Sequence, residues 1–446
     1  MGPARGEHPM RLLISAGEAS GDMHGAALLA ALRQLASPVG VECFGLGGER
    51  LRAAGCETVV DAKDVAVLGL AEVVSHLPRI YREFRRLLAE VDRCRPDAAV
   101  LIDFPEFNFR LARQLHHRGI PVIYYISPQL WAWRKGRLKL VQRYVRKMLV
   151  IFPFEREFYR RHGVEVEFVG HPLADLADTG SSASVVERDS RQIALLPGSR
   201  RKEIELNLPA MLNAAVALHA RHPELHFSLP VASTISRAWL AELSGKLSST
   251  PATAKTVIVG DPGRRQPKKL PHVSPQSPQR AEPRWGPRVG RDVGHPSQAF
   301  PLELVADAQQ ALASSQAAVV ASGTATLEAA LAGTPFVMVY RLTPLTWLLG
   351  RRLVEVPFFC IVNLIAGREV VPELVQRDFT PVNVAARIER VLADGLERRQ
   401  MLDGLREVQA KLSVAAGASA SVTAAREILK IIQLERRAKT EAAPSC

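Results

Sequence analysis

Three short segments of this 446-residue chain combine residue types that can take a proton, hold a diphosphate and grip a sugar. The first is Asp103, which ends the apolar run Ala98–Ile102 and precedes Phe104-Pro105-Glu106. An acid at the carboxyl end of a parallel strand, beside a Pro turn, stands where a general base faces the cleft of an open α/β sheet. An N-cap for the next helix is the other reading of the same residue. The second is Pro197-Gly198-Ser199-Arg200, between an apolar run and a helical one. A guanidinium at that turn can neutralise a diphosphate with a fork geometry that lysine lacks, and with the helix amides it can hold charge developing on a leaving pyrophosphate. A solvated surface arginine is the alternative. The third is Ala317–Tyr340, which reads as strand, Ser322-Gly323-Thr324 turn, helix over 325–331 with Thr324 as N-cap, and a second strand. Glu328, one turn into that helix, can accept bonds from both ribose hydroxyls while the amides ahead of it face phosphate; an ordinary βαβ unit with a surface glutamate is the plainer reading.

Two further segments carry polar groups to the same sheet edges. Gly17-Glu18-Ala19-Ser20-Gly21-Asp22 follows a strand, RLLISA, and precedes a helix beginning near His24. It is neither GxGxxG nor a Walker loop, but its position lets Glu18, Ser20 and Asp22 meet a ligand. After the strand 121–126, Trp131, Trp133, Arg134 and Arg137 mix aromatic and basic residues. That mixture suits a phosphate beside a sugar or apolar surface, single-stranded nucleic acid, or packed tryptophans under a solvated basic face.

Strands alternate with helices twice over, predicting an α/β protein of two doubly wound Rossmann-like domains around a cleft. The first covers 10–177. A small, polar linker covers 178–190, the second domain covers 191–430, and a flexible tail covers 431–446. Residues 262–300, with eight Lys/Arg against two acids and many prolines, read as a disordered insert. A helix is expected over 302–314 and a strand over 256–259. In 65–91, apolar residues recur at helical spacing with Arg79, Arg82, Arg85 and Arg86 among them, so this helix faces either the core or an anionic bilayer.

The net charge of +13 suggests anionic partners: nucleic acid, a membrane surface or a phosphorylated substrate. No run of about eighteen apolar residues is present to span a bilayer. The N-terminus has no secretory pattern, and Met10 directly precedes the first strand, so residues 1–9 read as an extension or a misassigned start. Five widely spaced cysteines without a CxxC argue for a reducing compartment and against structural zinc. No Asp-x-Asp occurs, and the arginine with helix amides predicts a diphosphate leaving group handled without a metal.

The motifs SAGEASGD (15–22), LIDFPEFN (101–108), YISPQLWAWR (125–134), LLPGSR (195–200), ASGTATLEAAL (321–331) and NLIAGREVVPEL (363–374) together resemble the lipid-A-disaccharide synthases, in order from about Met10 to about Leu429. The resemblance implies a GT-B glycosyltransferase with no cofactor. It implies inverting transfer of 2,3-diacylglucosamine from UDP to 2,3-diacylglucosamine 1-phosphate (lipid X), giving the β(1→6) lipid A disaccharide and UDP. On that pattern Asp103 is the base, with Glu18 or His24 competing. Arg200, Gly198, Ser199, Ser322, Gly323 and Thr324 hold the UDP diphosphate, and Glu328 holds the ribose. Ser20, Asp22, Trp131, Trp133, Arg134 and Arg137 face the acceptor, while Asn363, Arg368 and Glu373 match the motif without an assigned role. The resemblance also implies a cytoplasmic enzyme, peripheral on the anionic inner membrane, with the apolar stretches Val65–Val74 and Trp347–Leu349 toward lipid, and a homodimer through the C-terminal region. A UDP-N-acetylglucosamine 2-epimerase and an RNA-binding protein using the basic insert are the rival readings.

Overall fold

The computed structural model describes residues 8–65, 70–132, 135–175, 188–232, 234–248, 300–344, 346–347, 356–414 and 419–441. Two all-parallel sheets organise them. The first holds β1 (Met10–Ala16), β2 (Val41–Gly47), β3 (Glu57–Asp61), β4 (Ala98–Ile102), β5 (Val122–Tyr125), β6 (Lys147–Val150) and β7 (Val166–Phe168), in the order β3-β2-β1-β4-β5-β6-β7. The second holds β8 (Asp189–Leu196), β9 (His226–Pro230), β10 (Leu302–Val305), β11 (Ser315–Ala321), β12 (Phe336–Tyr340) and β13 (Glu373–Val375), in the order β10-β9-β8-β11-β12-β13. Central strands such as β4 are buried at every residue, which is why they read as unbroken apolar runs rather than alternating ones.

In each sheet the strand order reverses at one place, between β1 and β4 and between β8 and β11. Ligands of open α/β sheets bind at such switch points, beyond the carboxyl ends of the strands. Ala16 pairs with Ile102, and Leu196 with Val320. The loops leaving the first pair carry Gly17–Ser20 and Asp103, and those leaving the second carry Gly198–Arg200 and Ser322–Thr324. The parallel pairing thus brings together loops separated by about 85 and about 125 residues of sequence.

The chain passes between the domains twice, and the two crossings touch. His171 N–H donates to Leu412 O at 2.9 Å, and the Asp175 carboxylate accepts the Ala420 and Ser421 amides at 2.9 and 3.5 Å, capping the last helix, Ala420–Glu441. That helix returns to lie on the first domain's helix Ala19–Leu35. Arg436 pairs with Asp97 at 2.8 Å and Arg146 with Glu435 at 2.9 Å. The tail expected from residue 431 is therefore helical to Glu441, because its side chains find partners on the first domain. One buried apolar cluster runs from β1 through Val169 and Ala174 into β8 and β11.

The helix expected over 302–314 is a strand followed by a shorter helix, Ala308–Ser314. Leu302 and Leu304 are buried around exposed Glu303, a period of two. Asp307 then caps the helix by accepting the Gln309 and Gln310 amides at 2.8 and 3.1 Å. The strand expected over 256–259, insert residues 262–299 and most of the linker 178–190 lie outside the described residues, as do Trp133, Arg134, Leu348, Leu349 and, in their side chains, most of Val65–Val74.

Candidate active site

Asp103 occupies a strained corner. Its φ is 43° and that of Phe104 is 48°, two consecutive non-glycine residues in the left-handed region, a conformation held only where the surroundings over-determine it. The surroundings here are specific. Tyr124 Oη and Asn108 Nδ2 donate to Asp103 O at 2.6 and 2.8 Å, and Asn108 Nδ2 also donates to Ile102 O at 3.2 Å. Ser15 Oγ donates to Asn108 Oδ1 at 2.7 Å, fixing the amide's orientation. Gly17 lets the Phe104 ring close over the neighbouring turn, since a Cβ on it would lie 2.2 Å from Phe104 Cδ1. The Asp103 carboxyl is thus held beside Glu18, and burial followed by the Glu18 charge pushes it up to about 6. A carboxylate of that basicity suits proton abstraction near neutral pH.

The rest of the first loop divides into exposed and structural groups. Glu18 and Ser20 are exposed at the helix start. Asp22 is buried, and its carboxylate accepts the amides of Gly48, Arg50 and Leu51 at 2.7, 2.9 and 3.1 Å, capping the helix Glu49–Ala53. We expect Asp22→Ala to lower stability by about 2–3 kcal/mol, because three amides lose their acceptor. Urea unfolding checks this; unchanged stability with a raised acceptor KM would instead put Asp22 on the substrate. His24 is pushed down to about 4 by burial, and burial together with the nearby His24 pushes His171 down to about 3.

In the aromatic–basic segment, Trp131 is 9% exposed and meets Phe154 edge-on at 5.0 Å. Arg137 Nη2 donates to both Glu106 oxygens at 2.7 Å, and its guanidinium lies 5.9 Å from the Phe109 ring centre. Both are therefore held against the domain, and the Arg137 guanidinium already carries a carboxylate partner.

In the second domain the turn Pro197–Arg200 wraps around Glu203. Gly198 has φ 124°, a conformation that favours glycine, and the Glu203 carboxylate accepts the Ser199 and Arg200 amides at 3.2 and 3.3 Å. Thr234 Oγ1 donates to Ser199 O at 2.7 Å and Asn207 Nδ2 to Pro197 O at 3.0 Å, so the turn is anchored from two sides. Arg200 pairs with Glu203 at 2.9 Å, yet its side chain is 75% exposed. Exposed pairs are worth about 0–1 kcal/mol, so this one holds the guanidinium only weakly. Arg201 differs: its guanidinium lies 5.0 Å from the Trp239 ring centre.

Across the switch point the helix Ala325–Leu331 forms as expected, but Thr324 is already helical in backbone and its side chain makes no cap. Thr326 Oγ1 instead donates to Gly323 O at 2.7 Å. Gly323 has φ 146° and open space where a Cβ would lie. Glu328 is half-buried without a side-chain hydrogen bond among the described residues, and burial, then Asp307, pushes its carboxyl up. Such a group is free to accept from a ligand's hydroxyls. Two surface cavities of about 340 and 440 Å³ lie elsewhere, lined by residues such as Tyr144 and Glu435 or Arg33 and Cys43, so concavity alone does not mark this site.

Solved structures with the same fold include a UDP-N-acetylglucosamine 2-epimerase from Neisseria meningitidis bound to UDP-GlcNAc (TM-score 0.56, 12% identity, 95% of this chain and 100% of that one). The kitacinnamycin glycosyltransferase gives a TM-score of 0.55 at 13% identity over 95% and 99% of the two chains. Likeness at this identity establishes the GT-B fold and leaves transferase and epimerase undecided. The family model described as lipid-A-disaccharide synthetase decides, matching residues 12–251 and 297–427. The chain belongs to that family. The lipid-A-disaccharide synthase of Koribacter versatilis (strain Ellin345) is 51% identical over 95% of this chain and 99% of its own length, and that of Acidobacterium capsulatum is 45% identical over 90% and 92%. The unmatched 252–296 overlaps the expected insert, whose break in the family pattern starts about ten residues earlier than its composition suggests.

The synthase motif at 363–374 acquires a structural role. Asn363, fully buried, accepts the Val370 and Val371 amides at 2.8 and 3.0 Å and donates to Val371 O and Glu373 Oε1, both at 2.9 Å. Glu373 in turn accepts the Phe359 and Cys360 amides at 2.8 and 3.0 Å, and Arg368 pairs with Glu407 at 2.7 Å. Ser322 Oγ donates to Phe359 O at 3.1 Å, so this knot supports the Ser322–Thr324 turn from behind. Sequence reasoning missed these supports, along with Ser15, Asn108, Tyr124 and Glu203. Asn108 and Asn363 lay inside quoted motifs, but only their burial shows that they bind backbone rather than ligand.

Proposed function

We propose that the chain is an inverting glycosyltransferase joining UDP-2,3-diacylglucosamine to 2,3-diacylglucosamine 1-phosphate, forming the β(1→6) lipid A disaccharide 1-phosphate and UDP. Family membership over most of the chain carries the reaction. The loops at the two switch points support the assignment of residues. Asp103 removes the proton from the acceptor 6-hydroxyl as that oxygen attacks C1 of the donor sugar from the face opposite the diphosphate, inverting the anomeric centre. The C1–O bond breaks, UDP leaves with the electron pair, and Arg200 with the Gly198-Ser199 and Ser322-Gly323-Thr324 turns holds the charge. Glu328 accepts from the ribose hydroxyls. Asp103 is preferred to His24 because a base pushed down to about 4 binds the proton too weakly, whereas one near 6 matches the task. Glu18 is better suited to raising the basicity of Asp103.

No helix among the described residues is long and apolar enough to cross a membrane. We further propose peripheral contact with an anionic bilayer through the helix Leu70–Cys94, where Leu77 (45% exposed) and Tyr81 (64%) stand among Arg82, Arg85 and Arg86. Cosedimentation with phosphatidylglycerol vesicles that persists after Leu77 and Tyr81 are changed to Asp would refute this contact. The reaction itself is tested by incubating purified protein with both substrates and EDTA and measuring disaccharide and UDP. Absence of both products, with the protein folded, would overturn the assignment, while product only on metal addition would overturn the metal-free part.

A further inference from the structure

Five buried side-chain polar atoms lack a hydrogen-bond partner among the described residues, and two of them are an acceptor and a donor, Glu155 Oε1 and Trp131 Nε1, with the Trp131 ring packed on Phe154, the residue before Glu155. Glu155 lies in the first turn of the helix Pro153–Arg161, fully buried. Its Oε2 accepts the Ile151 and Phe152 amides at 3.2 and 3.0 Å, an ordinary first-turn cap. A cap of this kind needs neither full burial nor a second sealed oxygen. Burial pushes the carboxyl up to about 8, and the Trp131 indole and Ser127 hydroxyl lie close enough to oppose that rise. Ser127 and Tyr159 meet through their hydroxyls at 2.6 Å. The Trp131 ring meets Phe154 edge-on at 5.0 Å, and Phe154 stacks on Phe152 at 5.4 Å. The same helical turn therefore packs an aromatic ring against Trp131 and carries an unspent acceptor.

We propose that Glu155 is a positioning residue for the acceptor half of the site: its Oε1 takes the Trp131 indole N–H and so fixes Trp131 in the segment expected to face the acceptor. The inference rests on the reading that this segment faces the lipid acceptor. A buried donor and a buried acceptor left apart would each go unsatisfied, a cost that drives them together. Gln at 155 keeps the shape but, with its carbonyl retained by the Ile151 and Phe152 amides, turns an NH₂ toward the indole, leaving donor against donor.

The test compares wild type, Glu155→Gln, Trp131→Phe and the double variant, with KM measured separately for each substrate and Trp131 emission read as the difference from the Trp131→Phe spectrum. Each single change is expected to raise the acceptor KM about tenfold, to leave the donor KM within about twofold, and to make the other change silent, so that the double variant is no worse than either single one. Glu155→Gln also shifts the Trp131 emission. Multiplying effects in the double variant, or a parallel rise of both KM values, would overturn the proposal. If Glu155→Gln does not fold, Trp131→Phe still decides, since an unchanged acceptor KM refutes it. If wild type makes no disaccharide, the functional reading fails on its own account, and an unchanged Trp131 emission in Glu155→Gln then refutes the contact separately.

Discussion

Asp103→Asn is expected to lower kcat/KM about a thousandfold and, at the same time, to stabilise the protein. The first effect is loss of the base. The second follows from the carboxyl's environment, where burial and Glu18 raise it from 3.8 to about 6. A carboxyl raised on folding binds its proton more tightly in the folded state. Its contribution to stability is therefore present below about pH 4 and is lost as pH rises through about 6. At pH 7 the buried charge costs on the order of 2 kcal/mol, from about 1.4 kcal/mol per pKa unit reduced for partial exposure. Asn carries no charge, tolerates a positive φ and leaves the main-chain bonds to Tyr124 and Asn108 in place. Thermal unfolding of both proteins from pH 4 to 8 should show the variant's advantage growing through about pH 6 and then levelling. In the wild type, kcat/KM should rise with pH through the same region, and Glu18→Gln should move that limb to lower pH by removing the like charge. An Asp103→Asn enzyme that keeps its activity would transfer the role of base to Glu18 or His24.

Arg200→Ala is expected to lower kcat by a factor of about 10²–10³ and to raise the donor KM, leaving the acceptor KM unchanged. Its stability should match the wild type, because its side chain pairs with Glu203 in an exposed pair among the described residues. Arg200→Lys should recover part of the loss, since a point charge replaces a fork. Arg201→Ala is the internal control: it loses the contact with Trp239 but should keep kcat within a few-fold. Equal losses at 200 and 201 would mean that the turn's general positive charge matters rather than one placed guanidinium.

The supports behind these two residues explain what could be read in advance. Asp103 was legible because an acid ending an apolar run has few other places to be. Arg200 was legible because Gly-Ser-Arg between a strand and a helix is a turn with a cation on it. Asp22 looked equally chemical, and its carboxylate is taken up by three amides of a helix about twenty-six residues away, a use that no local pattern announces. Thr324 had the residue type of a cap but not the backbone. Leu302–Val305 was hidden in a stretch whose apolar spacing also fits a helix, and pairing with β9 made it a strand.

Composition and order along the chain determined the class of fold and the family, because apolar runs, breaking turns and six ordered motifs are local properties that survive without a partner. They also determined which loops carry acids, arginines and glycines. Tertiary structure alone decided how those loops meet. The parallel pairing of β1 with β4 sets Glu18 beside Asp103, that of β8 with β11 brings the loops after Leu196 and Val320 to one edge, and basicity at Asp103 arises from burial, then from the Glu18 charge. It also separated polar residues that bind backbone, such as Asp22, Asn108 and Asn363, from those left without a side-chain hydrogen bond among the described residues, such as Glu328. The physical reason is that burial and charge–charge coupling depend on distances between segments remote in sequence, and only the folded sheet sets those distances.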